Sequence, residues 1–194
     1  MVVMSNKRYC TPDLVIEPED ISTSNAVIID CRFALSDPDQ GRRSYEEGHI
    51  PGAFYLDLEN DLSGDLHTHG GRHPLPDPDK FLTRLLDCGI ESSTEVIVYD
   101  DSRLAFASRF WWMMKSIGYR PPKLLNGGYQ EWLNRQFDFD KAKPAPHSGC
   151  LDNTDREFSG ICDIHTLLAM EFEKFSLIDS REEFRYLGIE EPID

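Results

Sequence analysis

Apolar residues along this chain come in two rhythms. Short unbroken runs stand at Val27–Asp30, at Glu95–Asp100 (EVIVYD) and at Lys123–Asn126. Runs of this kind, without polar alternation and rich in β-branched residues, predict strands buried on both faces. Between them apolar side chains recur every three or four positions. Phe81, Leu82, Leu85 and Leu86 make one such stripe, and Phe106, Phe110, Met113, Met114 and Ile117 another. That spacing predicts helices. Asp77-Pro78 supplies an N-cap and a first-turn proline for the earlier helix and Gly89 ends it, while the later one spans Ala105–Ile117 and stops at Gly118. Gly127-Gly128 forms a turn into a last helix, Tyr129–Arg135. From Asp30 to Asp140 the order is strand, loop, helix, strand, helix, strand, helix. The fold class is therefore α/β, a central parallel sheet flanked by helices.

The first apolar run, Ala26-Val27-Ile28-Ile29-Asp30-Cys31-Arg32, is repeated as Phe175-Ser176-Leu177-Ile178-Asp179-Ser180-Arg181. Each copy ends in Asp-x-Arg, as a buried strand would at a functional edge. Between them, residues 138 to 156 are polar with Pro144 and Pro146, which reads as a linker. Asp163 caps a helix through Leu167, Leu168, Met170 and Phe172, and the repeated strand follows. The domain organisation is then a complete domain over 1–140, a linker over 141–156 and a partial second repeat over 157–194. The last stretch is near the length at which a chain cannot hold a core alone.

Charge narrows the function classes. The chain has 194 residues and a formal net charge of −15, which argues against a nucleic-acid partner, since phosphate contacts need clustered Lys and Arg. Any small anionic ligand must be drawn in by local arginines against the overall field. No apolar run approaches the roughly 20 residues that span a bilayer, and Met1 to Cys10 lacks the apolar stretch of a signal peptide. Cys10, Cys31, Cys88, Cys150 and Cys162 are widely spaced with no CxxC pair, which points to reduced thiols in a cytoplasmic protein rather than a disulfide framework or a zinc site.

In parallel sheets, ligands gather at the carboxyl ends of strands. Here those ends carry Cys31-Arg32, Asp101 to Leu104 and Gly127-Gly128. The stretches GHIPGA (48–53), GRHPLPDP (71–78), VIVYDD (96–101), RFWWM (109–113) and LLNGGYQEW (124–132), in this order and spacing, resemble the rhodanese superfamily. The resemblance is nearest to its tandem-domain thiosulfate and 3-mercaptopyruvate sulfurtransferases. It covers residues 10 to 140 as a first domain and 157 to 194 as the start of a second.

The resemblance implies a reaction in which a cysteine takes sulfane sulfur from an anionic donor and passes the persulfide sulfur to cyanide or a thiol. It implies no cofactor and no metal. The cysteine sits in a loop after the fourth strand, where backbone N–H groups stabilise thiolate and persulfide charge, and in tandem members it belongs to the second domain. Asp100 occupies the corresponding first-domain position, so no catalytic residue is assigned to this chain, and the second-domain cysteine is expected some tens of residues past Asp194. One substrate-binding residue carries over: DSREEFRYLG (179–188) is similar to the segment whose arginine binds donor oxygens, which makes Arg185 the candidate. The second arginine of mercaptopyruvate-type enzymes is replaced in Glu191-Pro192-Ile193, which tips the donor toward thiosulfate.

Each feature has a plainer reading. Cys31 beside Arg32 is a candidate reactive thiol or a small buried residue. His67, His69 and His73 are candidate metal ligands or members of a solvated loop. Trp111-Trp112-Met113-Met114 is a ligand patch or core packing, and Asp37, Asp39, Glu46 and Glu47 form a solvated acidic face. Arg185 is a donor-binding remnant or a surface arginine near Glu182. Two functions follow: an N-terminal sulfurtransferase piece, inactive alone, or a non-catalytic rhodanese-like binding module with an unknown protein partner. The phosphatase relatives of the fold, which also need a loop cysteine, are a third and weaker reading.

Overall fold

A computed structural model describes residues 14–21, 25–68, 71–146 and 156–190. The chain divides into two compact units, one ending at Ser159 and one beginning at Gly160. In the first unit five parallel strands, β1 (Val15–Ile16), β2 (Val27–Asp30), β3 (Phe54–Tyr55), β4 (Val96–Tyr99) and β5 (Lys123–Leu125), lie in the order β1-β5-β4-β2-β3. β4 is buried along its whole length. Its neighbours pair in register, Ile28 with Ile97 and Val98 with Leu124.

Alternate side chains of these strands feed two cores, as the two-residue period of a strand requires. Ile29, Val96, Val98 and Leu124 face α3 (Pro78–Asp87) and α4 (Ala107–Ser116), meeting Phe81, Leu82, Leu85, Phe110, Met113 and Met114. Ile97, Tyr99 and Leu125 face α1 (Pro18–Ile21) and α5 (Gly128–Asn134), meeting Ile21, Tyr129 and Trp132. The Trp-Trp-Met-Met run is core: Met113 and Met114 are fully buried and both tryptophans pack against the first cluster. Asp77 caps α3 through bonds from the amides of Asp79 and Lys80, and Gly89 and Gly118 adopt positive φ just past the helices they end.

The region between β2 and α3, expected as loop, contains α2 (Gln40–Glu47) and β3. Helix α2 lacks an apolar stripe, and only Gly41 and Tyr45 are buried in it. Gly41 is what lets it dock: a Cβ there would lie 2.0 Å from the Arg32 carbonyl oxygen and 2.6 Å from the Tyr55 hydroxyl. Gly41→Ala is expected to push α2 off the strand ends and cost about 1–3 kcal/mol, read as a lowered urea midpoint. An unchanged midpoint would mean that α2 is not held as closely as described.

Residues at either end of the expected linker are tied to the first unit, which runs on to Ser159. Asp140 bridges to His49, whose Nδ1 lies 2.7 Å from the Tyr45 carbonyl and whose Nε2 lies 3.2 Å from that of Ala142. Phe158 stacks on Trp112, and Ser159 bonds the Ser116 carbonyl through both its amide and its hydroxyl.

The second unit holds α6 (Ile164–Ala169), capped by Asp163 as expected, a 3₁₀ turn at Phe172–Lys174, and α7 (Glu183–Tyr186). Phe175–Ile178 is not a strand, contrary to the pattern. Leu177 and Ile178 are 68% and 82% exposed. A parallel strand exists only by pairing with neighbours, and the sheet formed by the described residues does not include this run. Leu168, Leu187 and Ile189 are exposed as well, so no core forms within the described part of this unit.

Candidate functional site

β2 and β4 are adjacent, yet the chain leaves β2 toward β3 and leaves β4 toward β5. Their carboxyl ends therefore flank a switch point, where such sheets bind ligands. A crevice of about 590 Å³ opens there, between residues 32–44 and the loop after β4.

The loop after β4 is organised by Asp100, whose residue is 1% exposed. Its Oδ1 accepts from the amides of Ser102 (2.8 Å) and Leu104 (2.9 Å), and its Oδ2 from those of Phe106 and Ala107 (both 2.9 Å). The chain wraps around the carboxylate, with Arg103 and Leu104 at φ of 57° and 68°. That conformation is costly for residues with a Cβ, so the four bonds hold it. The Asp100 carbonyl in turn receives the Tyr129 amide at 2.9 Å, and a Cβ on Gly128 would sit 2.2 Å from that oxygen.

Beside it, Arg32 is buried against Asp30. Its amide and Nε donate to Oδ1 at 2.9 and 3.1 Å, and Nε and Nη2 to Oδ2 at 2.9 and 2.7 Å. Nη2 also reaches the Gly48 carbonyl at 2.7 Å, Tyr99 donates to Asp30 at 2.8 Å, and the guanidinium carbon lies 3.9 Å from the centroid of the Tyr129 ring. Burial pushes the Asp30 carboxyl above its ordinary range, against the pull of Arg32. The charge of Arg32 is thus spent inside the fold.

Cys31 is buried beside this pair. Burial raises its thiol well above the usual range, and the Asp30 and Asp100 carboxylates raise it further. Cys88 is pushed up to about 12, chiefly by burial. Neither has the electropositive, accessible setting of a reactive thiol. Iodoacetamide treatment of the native protein followed by peptide mapping is expected to label the exposed Cys162 and to spare Cys31 and Cys88 until denaturant is added. Rapid labelling of Cys31 would contradict its burial. Cys10 and Cys150 lie outside the described residues.

The other candidates are dispersed. Phe33 packs edge-on against Phe106 and His73, with ring centroids 5.5 and 6.2 Å away. His73 Nε2 stands 3.9 Å from a Glu59 oxygen; burial lowers its pKa, helped by Arg109. His67 is exposed and His69 lies outside the described residues. Among the described residues no group of His, Cys, Asp and Glu has the arrangement of a metal site. Arg109 pins the histidine-bearing loop by donating to the carbonyls of Leu62, His73 and Pro74 at 2.9–3.0 Å. Arg185 lies in the last turn of α7, in the second unit; the Asp179 carboxyl is lowered chiefly by its hydrogen bonds from Arg181, with the Arg185 charge a lesser contribution. Glu191, Pro192 and Ile193 lie outside the described residues.

A family model described as "Rhodanese-like domain" matches residues 18–135. The chain belongs to the rhodanese-like domain family. Among curated relatives, a "Probable 3-mercaptopyruvate sulfurtransferase" of Pseudomonas aeruginosa is 37% identical over 90% of this chain and 62% of its own length. The 3-mercaptopyruvate sulfurtransferase of Mus musculus is 35% identical over 79% and 52%, and the thiosulfate sulfurtransferase of Cricetulus griseus is 31% identical over 84% and 54%. The chain thus spans between half and two thirds of these relatives. Among solved structures, SseA from Escherichia coli, described as a 3-mercaptopyruvate sulfotransferase, superposes with a TM-score of 0.74 at 28% identity, over 89% of this chain and 67% of that one. The 3-mercaptopyruvate sulfurtransferase from Leishmania major gives 0.69 at 26%, over 75% and 41%. The rhodanese architecture read from the strand runs and the joint motifs is borne out.

Two features of the rhodanese-like unit escaped the sequence. The Asp-x-Arg ending marks an internal ion pair rather than a ligand site; the signal was its place at the end of a wholly apolar run, where a charge needs a partner. Phe33 and Phe106 wall the crevice; Phe33 falls in no periodic pattern, and the helical stripe marked Phe106 only as a core residue. Among the described residues no helix is long and apolar enough to cross a membrane.

Proposed function

We propose that this chain is the first, non-catalytic domain of a tandem sulfurtransferase, joined to the beginning of the catalytic one. In the parent reaction a cysteine thiolate attacks the outer sulfur of thiosulfate, the S–S bond breaks and sulfite leaves with the electron pair. Cyanide or a thiol then takes the persulfide sulfur and restores the thiolate. 3-Mercaptopyruvate is the alternative donor. The domains run over 1–140 and 157–194 with a linker at 141–156, the location is cytoplasmic, and Arg185 binds donor oxygens.

The observation that carries this reading is Asp100. The loop that would cradle a sulfur anion is filled by the chain's own carboxylate, which takes four amide bonds and has no sulfur to carry. The chain by itself is therefore inactive. The purified protein is expected to form no thiocyanate from thiosulfate and cyanide, or from 3-mercaptopyruvate and cyanide. Robust turnover would overturn the inactivity, with Cys31→Ser as the first control on its source.

The second reading, a non-catalytic binding module, predicts that residues 160–190 are protected in hydrogen exchange and co-purify with a protein. The exposed Leu177, Ile178 and Ile189 favour the first reading, which predicts exchange there within seconds.

A further inference from the structure

We propose that the crevice at the β2–β4 switch point binds an organic cation, specifically a guanidinium group, and rejects the sulfur oxyanions of the parent reaction. This goes beyond the sulfurtransferase reading and does not depend on it. The crevice has the size of a small-ligand site, about 590 Å³, and what lines it fixes the sign of the ligand.

An anion would look for amides in the loop after β4. The amides of Ser102, Leu104, Phe106 and Ala107 are all donated to Asp100, and that of Ala105 goes to the Ser102 carbonyl. It would next look to Arg32, whose Nε and Nη2 are held by Asp30 and Gly48. Arg43, one turn away, is paired with Asp37.

A cation finds the opposite. Asp101 lines the crevice, is exposed, and among the described residues meets only the Ser102 hydroxyl at 3.3 Å. Ser36, Gln40 and Ser44 add neutral acceptors. Half-buried Phe106 supplies aromatic surface, with the buried Phe33 packed edge-on behind it. A carboxylate and an aromatic ring lining one crevice suit a planar guanidinium, which takes a forked hydrogen bond at its edge and stacks on its face. An alkylammonium is drawn to both groups but offers neither the forked pair of donors nor a flat face to stack.

The test is a titration of the full chain with n-butylguanidinium, n-butylammonium, sodium thiosulfate and a capped Gly-Arg-Gly peptide, followed through the amide resonances of Gly41, Ser102 and Ala105. Saturable shifts with butylguanidinium, clearly weaker ones with butylammonium and none with thiosulfate are expected; butylammonium binding as tightly as butylguanidinium would overturn the guanidinium assignment. Asp101→Asn, exposed and nearly isosteric, should weaken the guanidinium by roughly fivefold, the upper end for an exposed ion pair. Tighter binding of the peptide identifies a protein arginine as the source, and equal binding a free small molecule; both support the proposal. Thiosulfate saturating the same amides, or butylguanidinium binding Asp101→Asn as well as it binds the native chain, would overturn it. So would the absence of any saturable shift. The thiocyanate assay reads none of these outcomes, so this proposal and the function reading fail separately.

Discussion

Replacing Arg32 by Met is expected to cost about 3–5 kcal/mol of folding stability, the range for breaking a buried ion pair from one side. The side chains of Asp30 and Arg32 are 0% and 4% exposed. With the guanidinium gone, Asp30 keeps the amide of residue 32 and the Tyr99 hydroxyl but loses the charge that offsets its burial. The carboxyl, already raised by burial, would be raised further without Arg32, so the loss should shrink as the pH is lowered. The sign follows from linkage: a carboxyl with a raised folded-state pKa favours the folded form once protonated, below that pKa. The double replacement Asp30→Asn with Arg32→Met should recover part of the loss. Urea unfolding followed by tryptophan fluorescence measures both effects. A loss under 1 kcal/mol for Arg32→Met would mean that water reaches the pair.

Asp100→Ala should be comparably damaging, roughly 3–5 kcal/mol, for a different reason. Four amides lose their acceptor together, and leaving donors unmade costs more than making a bond gains. Water can reach those of Ser102, Leu104 and Phe106 in part, but the Ala107 bond is buried. The left-handed conformations at Arg103 and Leu104 also lose what holds them. Asp100→Asn keeps one oxygen to accept from two amides and turns an NH₂ group toward the other two, so an intermediate loss is expected. Hydrogen exchange at Phe106 and Ala107 should accelerate in both variants. Unchanged protection at those amides would show that the loop is held by its packing rather than by the carboxylate.

How much of this was legible in the sequence depends on where each signal lives. β2 and β4 stood out because a strand buried on both faces has no room for polar residues. Helices α3 and α4 were marked by their stripes and by Asp77 and Gly118. Helix α2 was not, because its docking rests on one missing Cβ at Gly41 rather than on apolar side chains. β1 and β3 are two residues each, too short to carry a period. Asp100 was found as the residue in the cysteine's place, but its role in shaping the loop depends on four backbone amides that have no residue signature. The second apolar run misled for a related reason. Phe175–Ile178 has the composition of a buried strand, and composition does not supply the neighbours.

The Asp-x-Arg turn occurs twice, and its two settings separate what is local from what is tertiary. Around Asp179 and Arg181 the four bonds measure 2.9, 3.0, 2.9 and 2.7 Å. They match those of Asp30 and Arg32 to within 0.1 Å, although the second pair stands in solvent with side chains 30% and 41% exposed. The clasp therefore closes without a core around it. It ties residues two apart, so closing it fixes little chain. In the first unit such a clasp sits in the interior as a dipole rather than as two separate ions, which offsets part of the desolvation that makes buried charges expensive. Arg181→Met, made beside Arg32→Met, should leave the unfolding midpoint where it is.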